Sequence, residues 1–183
     1  MKTAERIVMV AIVLVIIGGA AWLYVTLKKE DKELRAAVQR GDYEIPLDKK
    51  ATETEEDWRT YFPELVPIVI GSTTAYASVA DSMPELIKGL SDTPSLPDTV
   101  VKLFAFGSTG KHSIWMKDMN YPLDIIWLDE SGTIVHIVEN VSPATYPESF
   151  APPKPARYVI EANAGFVSSS SLSVGEEVIV PKW

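Results

Sequence analysis

YPLDIIWLDESGTIVHIVE, residues 121–139, is the stretch that decides the fold. Pro122 precedes Leu123-Asp124-Ile125-Ile126-Trp127-Leu128-Asp129, a short run rich in β-branched and aromatic side chains that reads as a strand. Glu130-Ser131-Gly132 carries turn chemistry, and residues 133–139 resume the β pattern, so the two runs are predicted to pair as an antiparallel hairpin. The same grammar extends outward. VPIVIG (66–71) and TTAYASVA (73–80) precede the hairpin, as do the strongly apolar VVKLFAF (100–106), a turn at Ser108-Thr109-Gly110 and a further run at 112–117. ARYVIEA (156–162) and a last run at 177–180 follow it. Ser82-Met83-Pro84-Glu85 fits a capping box that opens a short helix ending at Gly89. Residues 94–98 and the prolines 143, 147, 152, 153 and 155 mark loops, and residues 165–172 read as a serine-rich loop or short helix. Seven or eight strands with tight connections predict a mainly β, compact antiparallel domain over residues 66–183, barrel-like or sandwich-like, with one or two short helices.

What precedes that domain has a different character. Residues 7–27 (IVMVAIVLVIIGGAAWLYVTL) carry no charge, and as a helix they would extend about 31 Å, the thickness of a bilayer's hydrocarbon core. Trp22 and Tyr24 lie near one end, where amphipathic rings favour the headgroup region, and Lys28 and Lys29 stop the run. A single transmembrane helix behind a short tail (residues 1–6) is therefore expected. Cleavage as a signal peptide near Gly19-Ala20-Ala21 is the alternative. Residues 28–65 read as a charged linker that begins helically, with Leu34, Ala37 and Val38 as a stripe and Gly41 as its stop. Trp58, Tyr61 and Phe62 form a small aromatic cluster near its end. Charge alone leaves the orientation open: Lys28, Lys29, Lys32, Arg35 and Arg40 favour a cytoplasmic domain, yet large C-terminal domains translocate regardless of nearby charge.

Composition excludes several function classes. The net charge is −8. Residues 66–183 hold seven basic and thirteen acidic side chains, a balance that repels phosphate backbones and argues against nucleic acid as a partner. The chain has no cysteine, which removes disulfides, thiolate metal sites and cysteine nucleophiles. No G-x-S-x-G, P-loop or G-x-G-x-x-G is present, so no catalytic residue and no cofactor is assigned from motif.

The ordered blocks KGLSDTPSLPD, KLFAF, KHSIWMKDMNYPLDIIWLDESGTIVHIVENVSP, PARYVIEANAGF and SVGEEV closely resemble the family of domains of unknown function numbered 192 (DUF192) over roughly residues 66–181. The W-M-K element followed by P-L-D-I-I is the specific part. The resemblance implies a small β-rich fold, often behind a signal or anchor segment and hence often outside the cytoplasm, with no established activity. Two departures stand out. Val101-Lys102-Leu103 replaces the family's common G-M-L before F-x-F, and the cysteines that many members carry in the proline-rich loop are absent.

Candidate site residues follow from strand alternation. Trp115 and Lys117 share a face, with Asp118, Asn120 and Asp124 near the connecting loop, a combination suited to a small polar ligand such as a sugar or a peptide terminus. Arg157 and Glu161 share a face of the 156–162 run, and Arg157 offers a fork for a carboxylate. His112, Met116 and Met119 form a candidate copper(I) set, since thioether and imidazole are soft ligands. The function expected is a membrane-anchored module of the cell envelope that binds a small polar ligand or an envelope protein. One alternative is a hydrolase using a carboxylate pair drawn from Asp118, Asp124, Glu139 and Glu161. Another is a structural partner of a second membrane protein.

Overall fold

The structure, a computed structural model, describes residues 3–40 and 58–181. The chain falls into two compact units, residues 1–37 and 38–183. The first unit is a helix, α1 (Thr3–Arg40), whose last three residues run into the second unit. It takes in the uncharged run 7–27 and the expected helical start of the linker. Ile16, Ile17, Trp22, Leu23, Tyr24 and Val25 are all exposed on it. Among the described residues no helix is long and apolar enough to cross a membrane. The side chains of residues 3–15 lie outside the described ones, as do Gly41 and the charged spacer 42–57.

The second unit is built on β1 (Val66–Ile70), β2 (Thr73–Ala80), α2 (Met83–Lys88), β3 (Val100–Gly110), β4 (Ile114–Trp115), β5 (Leu123–Leu128), β6 (Ile134–Val141), β7 (Ser149–Phe150), β8 (Ala156–Asn163), α3 (Phe166–Ser169) and β9 (Val178–Ile179). Seven strands form one sheet in the order β6-β5-β8-β3-β2-β1-β9, and β4 pairs with β7 apart from it. The predicted hairpin is β5–β6, with Ile126 opposite Ile137 and Trp127 opposite His136. The sheet curls until its ends meet. The Ile134 N–H donates to Glu176 O at 2.8 Å, Gly175 N–H to Ile134 O at 2.8 Å, and Val178 N–H to Gly132 O at 2.9 Å. A mainly β, half-barrel sheet with a few short helices is the result.

Three local expectations are corrected. The sheet is not wholly antiparallel: β2 and β3 run parallel, with Ser78 beside Lys102. Parallel neighbours need a long crossover, and residues 81–99, which contain α2, supply it. Ser108-Thr109-Gly110 is not a free turn but the irregular end of β3, which regains its pairing with β8 at Gly110. The run 112–117 contributes only the two residues of β4, because its partner β7 is equally short.

The sheet separates two apolar layers. Its inner face is filled by branched and small side chains, among them Ile68, Ile70, Ala75, Ala77, Leu103, Ile126, Ile160 and Ala162. Its outer face carries Phe104, Leu123, Ile125, Trp127 and Val159, roofed by Leu90, Leu96, Ile114 and Met116 from the crossover and the β4 segment. Phe62 is buried in this outer layer and Trp58 packs against it, so folded structure begins before β1. Tyr61 of the same aromatic cluster stays exposed.

Candidate functional site

Outer-face polarity is concentrated on one row that crosses three strands. Register places Ser78 of β2 beside Lys102 of β3, and Lys102 beside Glu161 of β8. All three side chains are buried, Lys102 at 8 % exposure and Glu161 at 4 %. Lys102 Nζ donates to Ser78 Oγ at 3.1 Å. Glu161 Oε2, by contrast, has no hydrogen-bond partner. Burial pushes the Glu161 carboxyl up to about 8, against a smaller opposing pull from the Lys102 charge. Burial also holds the Lys102 ammonium below its ordinary value, opposed by Glu85 and Glu161.

Helix α2 lies over this row. Glu85 accepts hydrogen bonds from Ser82 N–H (3.2 Å) and Ser82 Oγ (2.6 Å), the reciprocal cap expected from sequence, and the Ser82 hydroxyl bond holds the Glu85 carboxyl below its usual range. Gly89 ends the helix with φ +52°, where a side chain is strained. A Cβ at Gly89 would stand 3.0 Å from the Phe104 ring and 3.8 Å from Glu161 Oε2. The glycine thus lets the backbone descend almost onto the carboxyl.

Two hollows flank α2. One, about 40 Å³, is lined by Leu86, Leu90, Phe104, Ile114, Trp115 and Met119, with Glu161 and Lys88 as its charged members. The other, about 420 Å³, lies between residues 60–64 and α2, and presents Lys102, Ser78, Thr93, Glu64, Glu85 and Lys88. Lys88 and Gly89 belong to both.

The sequence candidates separate in this frame. Trp115 and Glu161 come together in the smaller hollow. Trp115 is 48 % exposed and meets Tyr146 edge-on at 6.2 Å. Lys117 is exposed and pairs at 3.9 Å with Asp118. Asp118 and Asn120 stitch the roof. Asp92 N–H donates to Asp118 O (2.9 Å), Ser91 Oγ to Lys117 O (2.7 Å) and Asn120 Nδ2 to Thr93 O (2.9 Å). Thr93 Oγ1 and the Tyr121 hydroxyl lie 2.6 Å apart, and burial raises the Tyr121 phenol to about 12. Asp124 is wholly buried and faces backbone, not ligand space: Oδ1 accepts from Asn140 N–H (2.8 Å), and Oδ2 from Gly165 N–H (3.0 Å) and Val167 N–H (2.9 Å). Arg157 lies over the Tyr158 ring at 5.7 Å, and its Nη1 is buried without a hydrogen-bond partner. His112 stacks on Phe106 at 3.6 Å with Nε2 at 2.9 Å from Ser108 O, while Met116 is core. Among the described residues no group of three His, Asp or Glu side chains could hold a metal ion. Glu139 is exposed on β6.

Lys102 is the site residue that pattern reasoning passed over. Its signal was a lone cation inside the apolar run VVKLFAF.

Comparison with known proteins decides the family. The family model DUF192, described as "Uncharacterized ACR, COG1430", matches residues 67–180. The chain belongs to the DUF192 family. None of the curated proteins matches it. Two solved structures share the fold of this DUF192 chain. One, from Sinorhizobium meliloti 1021, is described as a "putative transcription regulator". It is 28 % identical with a TM-score of 0.57, over 61 % of this chain and 88 % of that one. The other, a protein of unknown function from Novosphingobium aromaticivorans DSM 12444, is 24 % identical with a TM-score of 0.59, over 65 % of this chain and 85 % of that one. The DUF192 match spans β1 to β9, so it includes every strand that shapes the two hollows.

Proposed function

We propose that this chain is a membrane-tethered binding module that takes a small polar ligand in the hollows beneath α2. One observation carries the reading: Glu161 is buried, lacks a partner for Oε2, and lines a hollow whose rim is the half-exposed Trp115. An unsatisfied buried polar atom costs about 1–3 kcal/mol, and a ligand that hydrogen-bonds to it recovers that cost. The larger hollow adds Lys102 and Ser78, donors for a polar molecule.

The tether reading draws on the uncharged run 7–27 and on the exposed Ile16, Ile17, Trp22, Leu23, Tyr24 and Val25, apolar surface that water disfavours and a bilayer accepts. An extracytoplasmic domain, single-pass at the cell membrane, follows from the family resemblance. The description of the Sinorhizobium protein is not carried over, because the acidic balance of residues 66–183 opposes contact with phosphate backbones. The hydrolase alternative is less favoured: the charge acting on Glu161 is the Lys102 ammonium, not a second carboxylate.

Thermal melting of the full chain against sugars, amino acids and short peptides, with Trp115→Ala alongside, tests the module. A ligand at 100 times its dissociation constant stabilises by about 2.7 kcal/mol. The expected result is a raised melting temperature in the wild type that Trp115→Ala abolishes. A panel that leaves the melting temperature unmoved contradicts the reading.

A further inference from the structure

The floor and walls of the smaller hollow ask for different things. The floor is Glu161 Oε2, which has no hydrogen-bond partner. Leu86, Leu90, Phe104 and Ile114 form apolar walls, and Ser91, Ser113 and Lys88 join the lining, with the Ser91 hydroxyl already donated to Lys117 O. An occupant that brings a donor to the floor and an apolar stem to the walls satisfies both. Neighbouring lysines do not fill that place. Lys102 Nζ is turned to Ser78 Oγ at 3.1 Å, and among the described residues neither Lys102 nor Lys88 forms an ion pair with Glu161. A volume of about 40 Å³ holds roughly three water-sized groups, which suits the tip of a charged head on an alkyl stem and is too small for a sugar ring. At the rim, the exposed Trp115 ring supplies a face for a cation.

We infer that the Glu161 hollow receives the head of an alkylammonium or alkylguanidinium group, such as the end of a lysine or arginine side chain, with Glu161 as its counter-ion. This rests on the binding reading above and names the ligand class of the same site. The charged and titratable groups around the carboxyl are Lys102 on β3, Lys88 and Glu85 on α2, and Tyr121 below the roof. Because burial keeps the empty carboxyl protonated near neutral pH, a bound cation displaces its proton into solvent.

Isothermal titration of the full chain tests this with n-butylammonium, n-butylguanidinium and an end-blocked peptide containing one lysine, and with n-butanol, butyrate and glucose as controls. The cations are expected to bind, releasing close to one proton near pH 7. Their affinity should rise about tenfold for each pH unit up to the midpoint of the Glu161 carboxyl and then level off. Glu161→Gln should lose at least tenfold in cation affinity, and the pH profile of the wild type tests the same point without any variant. Tighter binding of the peptide than of butylammonium assigns the site to a polypeptide side chain, and equal binding assigns it to free amines. Cation binding that is absent, independent of pH or unchanged in Glu161→Gln overturns the inference. If a control compound binds while the cations do not, the inference fails and the binding module survives. If nothing binds, both fail.

Discussion

Glu161 carries opposite consequences for stability and for binding. Below about pH 4.5 its carboxyl is protonated in both folded and unfolded chains, and burial then costs it no charge. Between there and about 8 only the unfolded chain ionises, so unfolding releases a proton and stability falls as pH rises. Across that window the free energy of unfolding of Glu161→Gln, relative to wild type, should gain on the order of 3–5 kcal/mol, read by urea melts at several pH values. A constant difference would show that the carboxyl is solvated. Asp124 makes the contrasting case, because its oxygens are spent on three backbone N–H groups. Asp124→Ala should destabilise by about 3 kcal/mol in the same assay, while Trp115→Ala, half-exposed, stays within about 1 kcal/mol. Trp115 and Glu161, both candidates from strand alternation, line one hollow in the structure. Sequence alone does not sort Asn120 and Asp124 from them, since an amide or carboxylate that staples backbone has the same letter as one that meets a ligand. Asp124 alternates with Leu123 and Ile125 in a run buried throughout. Its role appears only once the 163–167 turn is folded over it.

At the scale of elements, the hairpin, the apolar β3 core and the capped α2 were legible because each is a local pattern: period-two runs, turn residues and a reciprocal cap. The parallel β2–β3 pairing was not, since nothing local distinguishes a helix that crosses over from one that merely decorates a loop. Yet this crossover builds the site, by laying α2 and Gly89 over Lys102 and Glu161. Ring closure is equally non-local. Gly132 has φ +88°, and a Cβ there would stand 2.5 Å from Val178 O, backbone that cannot yield cheaply. Gly132→Ala should therefore cost about 2–4 kcal/mol and expose the β6 and β9 edges, seen as faster amide exchange at Ile134 and Val178. Unchanged exchange would mean that those bonds do not hold the ends of the sheet together.

For the whole molecule the chief expectation is a division of labour, with an apolar helix for location and a β domain for recognition. The proposed tether rests on the uncharged run 7–27, and charge leaves its orientation open, because basic residues flank both ends of it. Full-length chain expressed in a bacterial host should remain in the membrane pellet through alkaline carbonate extraction, and a chain lacking residues 1–27 should leave it. Recovery of both forms in the supernatant would remove the tether from the account. The binding claim reduces to the state of one carboxyl beneath α2. Carboxyl-carbon NMR of the full chain, followed from pH 4 to 10, reads that group directly. Glu161 is expected to titrate near 8, with a midpoint that falls when n-butylammonium is added. A midpoint near the ordinary 4.5, unmoved by the amine, would mean that Glu161 is solvated and already satisfied, and the hollow would no longer have a role as a site.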